Sequence, residues 1–268
     1  MTNKDVVIAI VQMEVKDGSK EDNLNKAKRL ISKIERFEPN FIVLPELFDA
    51  GYDFKKYPEL ANEIDKHDTV KKLSEIAEEL GSYIIGGVLE KYNDKYFDTT
   101  VVINPEGKLQ YVYRKIHLFQ EETKHFSYGN KIDVIDTKFG KIGVEICYEV
   151  RFPEISRIMA FKGAKIIFAP AAFPYPRVEH WKQMIIARAL ENQIFFVGVN
   201  RVGPGTSKTY FGESMIVDPW GDIILGAGEF ENALAVKINL DLVEHVRNII
   251  TSFKDKRLDV YKRYYNEL

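Results

Sequence analysis

The stretch Lys141-Ile-Gly-Val-Glu-Ile-Cys147-Tyr148-Glu149-Val150-Arg151-Phe152-Pro153-Glu154 decides how the chain is read. Ile142, Val144 and Ile146 alternate with other residues, which is the period of a strand. Pro153 suits the first turn of a helix that continues through Ile155, Ile158 and Met159. Cys147, the only cysteine of the chain, therefore falls at a strand-to-helix turn close to a helix N-terminus. Free backbone N–H groups and the helix dipole there favour a thiolate and can bind an oxyanion. One cysteine closes no internal disulfide and makes no metal cluster. Taken alone, it is more plainly a small buried apolar residue.

Two further segments shift that balance. In Phe41-Ile-Val-Leu-Pro45-Glu46-Leu47-Phe48, an apolar strand runs into a proline and then a carboxylate. Ligands gather at such C-terminal strand ends. The apolar flanks Leu44, Leu47 and Phe48 argue against a solvated loop carboxylate, and a desolvated one has a raised pKa and can shuttle protons. In Tyr111-Val-Tyr-Arg114-Lys115-Ile116-His117-Leu118-Phe119, a basic pair interrupts an apolar run. It reads either as edge-strand charge or as a fixed cation that lowers a thiol pKa and stabilises an oxyanion.

Leu-Pro-Glu46, Tyr-Arg-Lys115-Ile-His-Leu and Ile-Cys147-Tyr-Glu-Val-Arg-Phe-Pro-Glu, in that order, resemble the nitrilase superfamily of carbon–nitrogen hydrolases. The resemblance extends over nearly the whole chain. Ile8-Ala-Ile-Val-Gln12-Met13 looks like the family's first strand. His180-Trp181 with Ala187-Arg-Ala-Leu-Glu-Asn-Gln193 looks like a later helix, and Gly212-Glu-Ser214 through Asp218-Pro-Trp-Gly221 like its closing hairpin. The resemblance implies a four-layer α-β-β-α sandwich with the reactive residues at strand ends. It also places a second glutamate in the loop after Lys115. Glu122 fits that spacing best and Glu121 is the alternative, against the plainer account of a solvated acidic turn.

Composition agrees. The 268 residues suffice for one large domain with a well-buried core, with a tail over about 252–268. The formal net charge of −2, with both signs interspersed, offers no basic field for nucleic acid. Met1-Thr-Asn-Lys-Asp5 lacks the apolar core of a signal peptide, and no apolar run reaches membrane-span length. With a single cysteine, a reducing, cytoplasmic setting is expected. The five histidines are scattered without the paired spacing of a zinc site. His117 and His180 read as packing or supporting groups.

Along the chain, strands are expected over Val6–Met13, Phe41–Leu44, Tyr83–Leu89, Phe97–Ile103 and Leu109–Tyr113. Helices are expected over Asp22–Phe37 and Thr69–Leu80, the second ended by Gly81. Such α/β alternation puts helices on the outer faces of sheets. Gly203-Pro-Gly-Thr-Ser207-Lys208 lacks the full phosphate-loop spacing and reads as a surface turn. Arg151 and Glu154 read as an ion pair holding the Cys147 turn.

The groups present suggest a mechanism. Cys147 attacks a carbonyl bearing nitrogen after Glu46 takes its proton. Lys115 and the backbone N–H of Tyr148 hold the oxyanion. Glu46, helped by Glu122, then activates the water that frees the acid. No metal or organic cofactor is required. Tyr52, Tyr148, Ala171 and Phe173 are expected to line the pocket, with Arg177 a candidate for a substrate carboxylate. The motifs, with the ending Arg257-Leu-Asp-Val-Tyr261, look most like the ω-amidase branch, which cleaves short dicarboxylic monoamides such as 2-oxoglutaramate. N-carbamoyl substrates come second, and a scaffold or binding protein on the same fold is the non-enzymatic reading. The resemblance implies pairing through helices near Cys147 across a two-fold axis, and apolar residues of those helices and of the tail agree with a homodimer or larger even-numbered oligomer.

Overall fold

The computed structural model describes residues 4–265. The first three residues, part of the segment read above for a signal peptide, the last three of the tail, and the Tyr265 side chain lie outside the described residues. The first sheet contains β1 (Asp5–Gln12), β2 (Phe41–Val43), β3 (Tyr83–Tyr92), β4 (Lys95–Ile103) and β5 (Leu109–Arg114). The second contains β6 (Ile135–Thr137), β7 (Gly140–Val144), β8 (Ile166–Ala171) and β9 (Phe195–Asn200). A hairpin, β10 (Val202–Pro204) and β11 (Thr209–Phe211), interrupts that sheet before β12 (Met215–Val217) and β13 (Ile223–Gly226) complete it. The last strand, β14 (Asn232–Asn239), returns to the first sheet. The orders are β14-β1-β2-β3-β4-β5 and β13-β12-β9-β8-β7-β6, six strands each.

Strand alternation explains the layering. Ile8, Ile10, Phe41, Val43 and Ile85 share one core with Phe168, Ala169 and Val197 of the facing sheet. Their neighbours Ala9, Val11, Ile42, Leu44 and Ile84 point the other way. There they pack on Leu24, Leu30 and Ile31 of α1 (Lys20–Ser32) and, beyond the short α2 (Tyr57–Leu60), on Val70, Leu73 and Ile76 of α3 (Asp68–Leu80). Ile155 and Met159 of α4 (Pro153–Phe161) and Trp181 and Ile185 of α5 (Val178–Asn192) cover the second sheet. This is the expected α-β-β-α sandwich. The last described elements are α6 (Asp241–Ile249) and α7 (Leu258–Tyr265).

Two elements stop well short of their expected ends. The helix read over Asp22–Phe37 stops at Ser32, because Lys33 N–H turns back to the Leu30 carbonyl and tightens the last turn. A separate turn, Glu35–Phe37, follows and ends at Glu38 with φ +47°. The strand read through to Cys147 ends at Val144.

Candidate active site

Three side chains that lie far apart in the sequence meet where strand ends of the two sheets come together. Glu46 follows β2 in a turn whose next residue, Leu47, has φ +44°. The turn presses against β3, where Gly87 donates its N–H to the Pro45 carbonyl at 3.1 Å. A Cβ on Gly87 would lie 2.5 Å from the Glu46 Cα, so only glycine admits this approach. Lys115 directly follows β5 and donates its backbone N–H to the Asp98 carbonyl at 2.9 Å. Cys147 opens a tight turn, Cys147–Arg151, at φ +48°. A non-glycine residue held at positive φ stores backbone strain, a trait of nucleophile turns.

Glu149, in that turn, locks the two sheets in register. Its Oε2 accepts the Ile146 N–H at 2.7 Å and the Tyr113 hydroxyl at 2.9 Å. Its Oε1 accepts the N–H groups of Ile116 at 2.7 Å and His117 at 3.2 Å. One buried carboxylate thus ties the segment carrying Lys115 to the turn carrying Cys147.

The Lys115 ammonium is fully buried among carboxylates. It lies 2.5 Å from Glu46 Oε1, 3.1 Å from Asp98 Oδ2 and 2.9 Å from Glu122 Oε2. Glu46 Oε2 also accepts the Ala172 N–H at 2.6 Å. Glu122 accepts the Phe119 N–H at 2.8 Å and the Tyr52 hydroxyl at 3.0 Å. Oxygens of Glu46, Asp98 and Glu122 lie within 4.8 Å of one another, a spacing that suits a cation, and Lys115 supplies the positive charge between them. Of the two loop glutamates left open by the sequence, Glu122 is the one beside Lys115. Glu121 is exposed and pairs with Lys124 at 2.9 Å.

The electrostatics correct two expectations. Burial pushes the Glu46 carboxyl up, but the Lys115 charge and hydrogen bonds outweigh it, so its pKa falls below the usual value. Burial, with the adjacent Glu46 charge, pushes the Cys147 thiol well up despite Lys115. The resting pair is therefore an ionised Glu46 and a neutral thiol. The helix dipole gives no thiolate here: α4 begins only at Pro153, beyond the Cys147 turn. Burial disfavours the Lys115 ammonium, yet Glu122, Glu46 and Asp98 raise its pKa well above normal, so it stays charged. Burial raises Glu122 and Asp98.

Cys147 opens into a compact pocket. Tyr52, Phe119, Tyr148 and Phe173 form its aromatic wall. Ala171 does not reach it: that residue is fully buried, still paired within β8 and accepting the Arg201 N–H. The next residue, Ala172, lines the pocket instead. Arg151, Arg177 and Lys208 form a cationic rim. Arg151 lies over the Phe173 ring at 5.3 Å and Arg177 over Phe119 at 5.2 Å.

A carbon-nitrogen hydrolase family model matches residues 7–248. The chain belongs to the carbon-nitrogen hydrolase family. Its relatives include a 2-oxoglutaramate amidase of Bacillus subtilis, 35% identical, with 95% of this chain and 98% of that protein covered. A nitrilase of Pyrococcus abyssi is 36% identical, over 96% of this chain and 100% of its own length. Among solved structures, Saccharomyces cerevisiae Nit3, a member of branch 10 of the nitrilase superfamily, superposes with a TM-score of 0.86 at 30% identity, covering 92% of this chain and 94% of its own.

Several members of the hydrolase's site escape a sequence reading. Asp98 sits in a strand whose Tyr96-Phe97-Asp98-Thr99-Thr100 pattern carries no mark of chemistry. Arg151 makes no turn-holding pair with Glu154; it faces the pocket and contacts His180 Nδ1 at 3.3 Å. The stretch from Gly203 to Lys208, expected as a turn, is the end of β10 followed by the hairpin loop to β11, and it brings Ser207 and Lys208 to the pocket. Asp17 pins that loop through Arg201 at 2.8 Å and the Thr206 N–H at 2.6 Å.

Proposed function

We propose that this hydrolase is a thiol-dependent ω-amidase that acts on short dicarboxylic monoamides of the 2-oxoglutaramate type. The observation that carries the reading is the pairing of Cys147, Glu46 and Lys115 with a rim of Arg151, Arg177 and Lys208 in one pocket. An amide bearing a distal carboxylate meets both needs: its carbonyl reaches the thiol while its charge meets the cations. The likeness to a 2-oxoglutaramate amidase supports the same reading.

In this mechanism Glu46 takes the Cys147 proton as sulfur attacks the amide carbon. The Lys115 ammonium and the Tyr148 backbone N–H stabilise the oxyanion. Glu46 returns its proton to the departing nitrogen, ammonia leaves, and a thioester remains. Glu46, with Glu122 beside it, then activates a water that releases the acid. The low Glu46 pKa and high thiol pKa fit this division, because the base is ionised and the nucleophile is protonated before substrate arrives.

An ammonia-release assay tests the proposal with 2-oxoglutaramate and glutaramate, neutral amides of equal length, N-carbamoyl amino acids and nitriles. The carboxylated amides are expected to give the highest kcat/KM. Preference for a carbamoyl or nitrile compound would replace the substrate assignment, and no turnover of any would favour a scaffold. We place the activity in the cytoplasm, a reducing setting that suits a catalytic thiol in a chain with a single cysteine.

We infer further that the chain acts as one domain within a homodimer or larger even-numbered oligomer. Ile155, Met159 and Ile185 are buried against the second sheet. Ile158, Phe161 and Leu190 stay exposed, and Phe161 shares a surface groove with Leu258 and Tyr261 of the tail. Phe253 anchors the tail to Phe161 at 5.3 Å between ring centroids. A second copy covering this face accounts for the exposure. Light scattering showing a fully active monomer at micromolar concentration would remove this reading.

A further inference from the structure

Three buried carboxyls and one buried thiol surround a single ammonium at the pocket floor. With Glu46, Asp98 and Glu122 all ionised, the carboxyls would outnumber Lys115 by two charges in a site almost wholly buried. Burying that excess is prohibitive, so the cluster retains carboxyl protons. The hydrogen bonds show where one of them sits. Glu46 accepts from Lys115 and from the Ala172 N–H. Glu122 accepts from Lys115, the Phe119 N–H and the Tyr52 hydroxyl. Asp98 accepts a side-chain contact from Lys115 alone, on Oδ2, and its buried Oδ1 has no partner. It is the carboxyl least equipped to be an anion, and it lies within hydrogen-bonding reach of Glu46.

We propose that Asp98 is a neutral acid in the resting enzyme, donating its proton in a hydrogen bond to Glu46 and so holding Glu46 ionised and aimed at Cys147. Asp98 is then a positioning residue: it touches the base rather than the substrate, and its proton stays on it through the cycle. The pKa directions agree, with Asp98 pushed well up by burial and by the Glu46 charge. The groups facing it are Glu46, Lys115 and Glu122, with Tyr52 and Tyr57 near enough to feel its charge; Cys147 adjoins Glu46 and Lys115. Raising the pH until Asp98 ionises would set a second negative charge beside Glu46 and the thiol. That predicts an alkaline fall in kcat/KM belonging to Asp98.

The inference builds on the Glu46 role proposed above, so its tests include readouts that need no substrate. Asp98→Asn preserves the shape, with an amide N–H for Glu46 and a carbonyl for Lys115. It is expected to keep kcat/KM within about threefold, a shift below one pKa unit, and to lose the alkaline fall. Asp98→Ala removes the donor, raises the Glu46 pKa and moves the acid limb upward. At mildly acidic pH it should cost on the order of tenfold, the effect of one pKa unit. In the unliganded protein, one of the infrared bands of protonated carboxylic acids, a set to which Glu145 also contributes, should disappear in Asp98→Asn. The inference fails if that band persists, if Asp98→Asn is as impaired as Asp98→Ala, or if its alkaline limb is unchanged. Should Asp98→Ala not fold, the asparagine variant and the infrared band still decide. Absence of turnover with the band lost as expected would instead condemn the amidase reading alone.

Discussion

The two sheets bring different things to the seam between them. The first supplies the acid–base cluster: Glu46 after β2, Asp98 within β4, and Lys115 after β5, with Glu122 in the loop beyond. The second supplies the thiol after β7 and, after β8, the Ala172 N–H that fixes Glu46. Both use the same local device, a tight turn with a non-glycine residue at positive φ, at Leu47 and at Cys147. Their demands differ. In the proposed mechanism the nucleophile needs an open face and an aimed sulfur. The acid–base set needs closure from water, because only there does one ammonium govern several carboxyl pKa values. Glu149, bonded to both halves, keeps the two requirements in register.

The sharpest way to break this division is to remove the second sheet's contribution. Cys147→Ala should abolish turnover while leaving the thermal midpoint nearly unchanged, because it removes only one sulfur atom. Iodoacetamide should inactivate the native enzyme stoichiometrically. The alkylation rate should climb as the pH rises, since burial holds the thiol neutral at rest. Turnover by the alanine variant, or full activity after alkylation, would place the nucleophile elsewhere.

Removing the first sheet's base should cost less but more selectively. Glu46→Gln keeps shape and loses proton transfer, so kcat should drop by roughly 10²–10⁴-fold, the range for general acid–base catalysis. Direct alkylation of Cys147 should survive in this variant, since it needs no leaving-group protonation. If thiol alkylation and amide turnover fall together by the same factor, the two sheets' contributions are not separable as argued.

Much of this division is legible in the sequence and part of it is not. Period-two alternation locates β1 to β5, and motif order places Glu46, Lys115 and Cys147 at strand ends. The rest depends on contacts that no local pattern encodes. The positive φ at Cys147 is a backbone state with no side-chain signature, so a strand was read three residues too far. Asp98 reads as an ordinary strand residue until folding sets it against Lys115. Arg151 reads as half of a local pair until the pocket claims it. Lys208 lies in a turn whose function appears only when β10 and β11 fold over the site. Pocket walls are assembled from several segments, and sequence distance hides them.

A finer cut tests whether the Glu46 turn must sit where β3 places it. Gly87→Ala puts a Cβ 2.5 Å from the Glu46 Cα and 2.6 Å from the Leu47 nitrogen, both backbone atoms. The turn must shift, at a cost of about 1–3 kcal/mol in stability. Moving the base by even a fraction of an ångström should lower kcat by up to about 10²-fold. Binding of a carboxylated product, read by calorimetry, should change little, since the cationic rim is untouched. Wild-type kinetics in this variant would show that the Glu46 turn tolerates displacement.

The smallest expected effect on activity separates structural from chemical carboxyls. Glu145 lies two residues before Cys147, yet it points into the core beneath α4 and accepts the Ser156 hydroxyl at 2.6 Å, with Oε1 unpartnered. Burial pushes its pKa from 4.5 up to about 8, with Glu149 and Glu191 adding to the rise and Arg188 opposing it. The unfolded chain therefore releases this proton near the ordinary carboxylate pKa, while the folded protein holds it. Stability from this group is complete in acid and declines as the pH rises from about 4.5 to about 8, then levels off. A displacement of that size corresponds to a few kcal/mol, as an order of magnitude. Glu145→Gln imitates the protonated form at every pH. Its unfolding free energy should match the native protein's in acid and exceed it above neutrality, while kcat/KM stays the same. Parallel stability curves for the two proteins would mean that Glu145 is ionised in the fold, and the contrast with the pocket carboxyls would fail at that residue.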